Sequence, residues 1–217
     1  YELAMADLHH QFPDDVDAAS FYALAILGTA EQGRDFAIYM RAAAVLEEVF
    51  PTHPRHPGVV HYLIHCYDDP IHAPLGLRPA RVYATIAPDA GHAQHMTSHI
   101  FLALGMWDDV VKANETAVSV VNQQRQTAGL PPRLCGHYNE GLEYGYMQQG
   151  RIAEARRVLD GCRSEAERVA SAARGKTAVE STEHLRMADV MAVESLADMR
   201  ANFLIDSRLW NDDVASW

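Results

Sequence analysis

Half of the twelve histidines in this chain, His61, His65, His72, His92, His95 and His99, fall between positions 61 and 99. Imidazole binds metal ions and moves protons near neutral pH, so this crowding is where chemistry is to be sought. Two pairs are spaced by four, in His61-Tyr62-Leu63-Ile64-His65 and His95-Met96-Thr97-Ser98-His99. Residues four apart share a helix face, so each pair can grip one ion. His92 stands three before His95 and lengthens the same stripe. A lone histidine on a helix is usually a hydrogen-bonded core or surface residue. Two matching pairs weigh against that reading, and His61, His65, His92, His95, His99 and His137 form the candidate ligand set. Imidazoles, alone or with Glu140 or Asp68, suit a transition metal: zinc or iron first, then copper or nickel.

No hydrolase signature accompanies the histidines. HExxH, GxSxG and a phosphate-cradling glycine loop are all missing. If a bound metal activates water or dioxygen here, Glu140 or Asp68 is the natural proton carrier. His137-Tyr138-Asn139-Glu140 places a base and a carboxylate one turn apart. His72 lies in the Pro-flanked stretch Pro70–Gly76, longer than a normal turn, and reads as a surface loop residue that could also fold over a site. His9, His10, His53 and His56 fall at helix ends or in loops, and take no role. Tyr62, Leu63 and Met96 read as packing between helices.

The elements that position these residues are helices. Ala is abundant and β-branched runs are scarce. Pro13, Pro51, Pro88 and the Pro131–Pro132 pair punctuate the chain at intervals of about 40 residues, near the roughly 34 of a helix–turn–helix repeat. Between them, Gln32-Gly33-Arg34-Asp35, Gly105-Met106-Trp107-Asp108 and Gln149-Gly150-Arg151-Ile152 are Gly turns of the kind that end helices. Leu209-Trp210-Asn211-Asp212 repeats the Trp-Asp theme without Gly. The pattern predicts helices over Val16–Ala30 and Phe36–Phe50, then Val59–Asp69 and Pro79–Ala87. Ala90–Leu104 and Asp108–Thr127 follow, then Leu134–Gln149 and Ile152–Ala173, with Leu185–Asp206 opening a further unit. Tyr1–His10 reads as mid-helix, and Ser171–Thr182 as a mobile connection.

Leu142, Tyr146, Gly150, Ala155, Leu159 and Cys162 carry the large–aromatic–glycine–small–large–small pattern of the tetratricopeptide repeat, which the chain resembles. Phe101, Gly105 and Trp107 fit moderately, and the Phe21–Phe50 unit more loosely. The stretches HPGVVHYLIHCYD and HAQHMTSHIFLALGMW are also similar to those of a broad set of bacterial repeat proteins. The resemblance implies an all-α fold over residues 1–217, a right-handed superhelical stack of antiparallel helix hairpins, with ligands bound in a concave groove lined by inner helices. Aligning units on Tyr67, Phe101 and Tyr146 puts His61 and His65, His95 and His99, then Glu140 and Tyr144 in equivalent slots. His92 and His137 each stand thirteen before a turn glycine, Gly105 and Gly150. The first unit has Ala23 and Leu27 there, and the last Asp198 and Asn202. Inner helices roughly 8–10 Å apart would let these side chains converge. The same resemblance offers an alternative, an interaction scaffold holding a peptide or protein in the groove without metal. Its peptide-carboxylate-binding members use Lys, Asn and Arg where this chain has His and Glu.

A formal charge of −11 argues against nucleic acid and is compatible with cationic ligands. No apolar stretch approaches the roughly 20 residues of a membrane span, so a soluble protein of cytoplasm or periplasm is expected. The chain opens on Tyr1 inside a helical pattern and reads as a piece of a longer protein whose address signal could lie upstream. Cys66, Cys135 and Cys162 are odd in number and far apart, and read as buried thiols.

Overall fold

In the computed structural model, Asp15 and Asp35 each stand just before a helix and accept hydrogen bonds from the backbone of its first turn. Such caps satisfy donors that the helix itself leaves unpaired. The structure describes residues 1–31, 33–174 and 183–217, with the side chains of all these but 173, 174 and 183–189. Gln32 and most of the expected Ser171–Thr182 connection therefore lie outside the described residues.

The elements are α1 Glu2–Gln11, α2 Val16–Leu27, α3 Phe36–Val49, α4 Pro57–Tyr67, α5 Ala73–Ile86 and α6 Gly91–Ala103. They continue as α7 Trp107–Thr127, α8 His137–Gln148, α9 Ile152–Arg174 and α10 Glu183–Ser207, and a 3-10 turn follows at Asp213–Ser216. The all-α class and the antiparallel pairing of successive helices are as the sequence predicts. Gly105 and Gly150 adopt φ of 68° and 69°. In each case the next amide reaches back five residues, Met106 to Phe101 and Arg151 to Tyr146, which closes the helix through a left-handed glycine.

The chain divides into two compact units, residues 1–106 and 107–217. In the first, α2 packs on α3, α3 on α4, α4 on α5 and α5 on α6, while α2, α4 and α6 also meet as a row. Ile26, Leu46, Val59, Val60, Leu63, Ile64, Met96 and Ile100 are its largest fully buried apolar side chains. A Cβ on Gly76 would stand 2.5 Å from Cδ1 of Ile100, so the glycine lets α5 close on α6. In the second unit α8 packs on α7, α9 and α10. Leu142, Tyr146, Ala155, Leu159 and Cys162, the residues of the repeat pattern, are buried there with Met199 and Phe203.

Three expectations need correction. α5 begins at Ala73 within the supposed long turn, and Pro79, expected to open it, stands inside it. The side chain of Asp69 accepts from the amides of Ile71 and His72, which starts this helix despite the prolines. α8 begins at His137, because Gly136 has φ of 99° and the amides of Leu134 and Cys135 bind Glu165 instead of helix carbonyls. Finally, Cys135 and Cys162 are joined in a disulfide, and Cys66 alone is a free buried thiol. The stretch before α8 lies against α9, which closes a separation of 27 residues. Among the described residues, no helix is long and apolar enough to cross a membrane.

Candidate metal centre

Both histidine-bearing helices are anchored on their apolar sides. α4 starts at Pro57, a residue pre-organised for the first turn, and the imidazole of His56 accepts from the amide of Val59. Val59, Val60, Leu63, Ile64, Cys66 and Tyr67 are buried, which leaves His61, His65 and Asp68 on the half-exposed side. The last turn is held by Arg34, whose guanidinium donates to the carbonyls of His65 and Cys66 and to buried Asp69. Tyr67 adds a 2.8 Å hydrogen bond to Glu47. α6 is buried almost all round, through Ala93, Met96, Ile100 and Phe101 and also Gln94, His95, Thr97 and Ser98. Gln94 donates 2.8 Å to the carbonyl of Ala84 near the end of α5, and this fixes the start of α6.

With α4 beside α6, the imidazoles meet edge to edge. Nε2 of His61 lies 3.2 Å from Nε2 of His65 and 3.1 Å from Nε2 of His92. Nε2 of His95 lies 3.1 Å from Nε2 of His99. On its far side, Nδ1 of His99 donates a 2.8 Å hydrogen bond to Asp68 at the end of α4. The His61 ring stacks on Tyr62 and on Tyr83, each with centroids 5.3 Å away. Tyr62 is therefore more than helix packing.

Burial and like charge favour the neutral form of His61 and His65. Burial, then the nearby His65, His92 and His99, push His61 down to about 4. Burial and the charge of His99 also lower His65, against an opposing pull from Asp68. Burial would raise Asp68, but its hydrogen bond to His99 and the charges of His99, Arg34 and His65 outweigh it and hold its carboxyl below the usual range.

Each facing pair of nitrogens has the spacing of two ligands on one metal ion. At a zinc–nitrogen bond of 2.0–2.1 Å, two nitrogens of a tetrahedral ion stand about 3.3 Å apart. An imidazole nitrogen carries either one proton or one lone pair, so Nε2 of His61 can make a linear hydrogen bond to only one of its two ring neighbours. A ligating histidine commonly donates its other N–H to a carboxylate, as His99 does to Asp68.

The structure thus brings together His61, His65, His92, His95 and His99 with Asp68. His137 and Glu140 belong to the second unit, where Nδ1 of His137 lies 3.5 Å from Glu140 and Ser195 donates to Glu140. His72 is neither a loop surface residue nor folded over the site. It precedes α5 with Nδ1 2.9 Å from Asp69, which also pairs with Arg34. His56 caps α4 and lies 3.1 Å from Asp17. Arg34, Tyr83 and Glu143 are missed by sequence reasoning. Glu143, on α8, is fully buried, and its carboxyl oxygens have no partner among the described residues. Burial, then the charges of Asp206 and Glu140, raise it to about 9.

No family model matches the sequence, and no curated protein matches it. Solved structures of a monomeric IFIT1 mutant are similar over 95% of this chain. One, with m7Gppp-AAAA, has 15% identity and a TM-score of 0.46, and another, with Gppp-AAAA, has 14% and 0.47. This chain spans about half of their length, 48% in each case. Their cap-bearing ligands are a property of IFIT1.

Proposed function

We propose that the first unit binds a divalent transition-metal ion, zinc or iron before copper, through the histidines of α4 and α6. The observation that carries this reading is the facing of imidazole Nε2 atoms at 3.1–3.2 Å, with Asp68 holding Nδ1 of His99. A carboxylate that accepts from Nδ1–H leaves Nε2 as the nitrogen where an ion would be held. Asp68, expected as a proton carrier, is given the role of orienting His99. Glu140, in the second unit, enters no step of this reading. The net charge of −11 favours a cation over a polyanionic ligand.

Elemental analysis of protein purified without chelator tests it. Roughly stoichiometric metal is expected, together with a lower Tm after chelator treatment, because an ion bound only by the folded state stabilises it. A His95→Ala, His99→Ala variant should lose metal while keeping its helix content. Metal-free protein that is indifferent to added zinc or iron would overturn the proposal.

A further inference from the structure

We propose that the second unit binds a small organic carboxylate, an apolar body with one anionic head, in a hollow at the turn from α7 to α8. The hollow has a volume of about 590 Å³, within the roughly 300–1,000 Å³ of small-molecule sites. Val118, Val121, Ala128, Leu130 and Met191 make much of its lining apolar, and Arg125 and Arg133 are set among them. The chain has 29 acidic and 18 basic residues, yet among the described residues no Asp or Glu lines this hollow. The local charge therefore opposes that of the whole and suits an anion.

Both arginines keep donors to spare. Nε of Arg125 donates 2.7 Å to the carbonyl of Pro131, and neither guanidinium is ion-paired among the described residues. Arg133 is held through its backbone. Its amide donates 2.7 Å to Oδ1 of Asn122, whose Nδ2 donates 3.1 Å to its carbonyl. The next two amides, of Leu134 and Cys135, donate to Glu165, and Cys135 is tied to Cys162. A loop fixed at three successive residues presents Arg133 from a set position, so less freedom is lost on binding. An adjoining hollow of about 200 Å³ shares both arginines and adds Arg168 and Glu165. That glutamate is already bound to the two amides and lies 3.8 Å from Arg168. A guanidinium can pair with a carboxylate through two parallel hydrogen bonds, while the apolar walls offer nothing to a larger polyanion.

Isothermal titration of the native chain with octanoate, octanol and inorganic phosphate tests the proposal. One equivalent of octanoate should bind, with octanol and phosphate each weaker by roughly tenfold or more, the scale of one charged hydrogen bond. Arg133→Gln should weaken octanoate by about the same factor. Met191→Glu should do likewise, because it sets a negative charge on the lining at a residue 52% exposed. Lys112→Gln, an equal loss of charge outside the hollow, should bind as the native chain does. Far-UV circular dichroism reports whether each variant is folded, and the native comparison of octanoate with octanol decides the matter even where one is not. No octanoate binding, equal binding of octanol or phosphate, or an octanoate affinity unchanged in folded Arg133→Gln would overturn the proposal.

Discussion

Nδ1 of His99 and the carboxylate of Asp68 share a 2.8 Å hydrogen bond across 31 residues of chain, from the face of α6 to the end of α4. The bond fixes the ring's orientation and its tautomer together. An Asp68→Asn variant keeps the volume but loses the negative acceptor. Its expected effect is a roughly 10–100-fold loss of metal affinity, as for other carboxylate partners of ligating histidines. Competition against a chromogenic chelator measures it, and unchanged affinity would remove Asp68 from the site.

Arg34 is expected to matter to both stability and metal. Its guanidinium is bound to Asp69, which is 5% exposed at the side chain, and to two carbonyls of α4. Arg34→Ala leaves that carboxylate with only His72 as an ionisable partner. A loss of about 1.5–3 kcal/mol is expected in urea denaturation, the scale of a hydrogen bond to a charged group. A loss below about 0.5 kcal/mol would show that the last turn of α4 holds without it.

Glu143 predicts a pH dependence in the second unit. Its ordinary value is 4.5 and its folded value about 9, so the folded chain retains a proton that the unfolded chain releases above 4.5. Its contribution to stability is fully present below 4.5 and is lost as pH rises toward 9. Glu143→Gln removes this slope and should be more stable than native protein at pH 7, by about 3 kcal/mol, from the interval between 4.5 and 7 at 1.36 kcal/mol per pKa unit. Parallel Tm–pH curves for the two proteins would refute the assignment.

The disulfide predicts a count of thiols. Denatured, unreduced protein should react with one equivalent of a thiol reagent, at Cys66, and with three after reduction. Cys135→Ser should cost about 3 kcal/mol, the scale for closing a loop of this size. Three reactive thiols without reductant would contradict the pairing.

Much of this is readable in the residues, for physical reasons that also mark where reading stops. The histidine pairs show because helical period four is written in the chain, and the turn glycines show because few other residues adopt their backbone angles. Arg34 does not show, since its partner Asp69 is 35 positions away and only packing of the helices brings them together. The Cys135–Cys162 pair is hidden for the same reason. The early start of α5 is masked by Pro70, Pro74 and Pro79, whose effect is offset by one side chain, Asp69. Nothing in the chain sets Glu143 apart from its charged neighbours, and only the contacts of α8 with α7, α9 and α10 put it inside.

His61 meets a ring from its own helix and another from α6. An ion seated there would rivet α4 to α6, a second tie beside the hydrogen bond between Asp68 and His99. Loading the metal would then set how far those two helices can breathe apart, so hydrogen exchange in α4 and α6 should slow together when the ion binds.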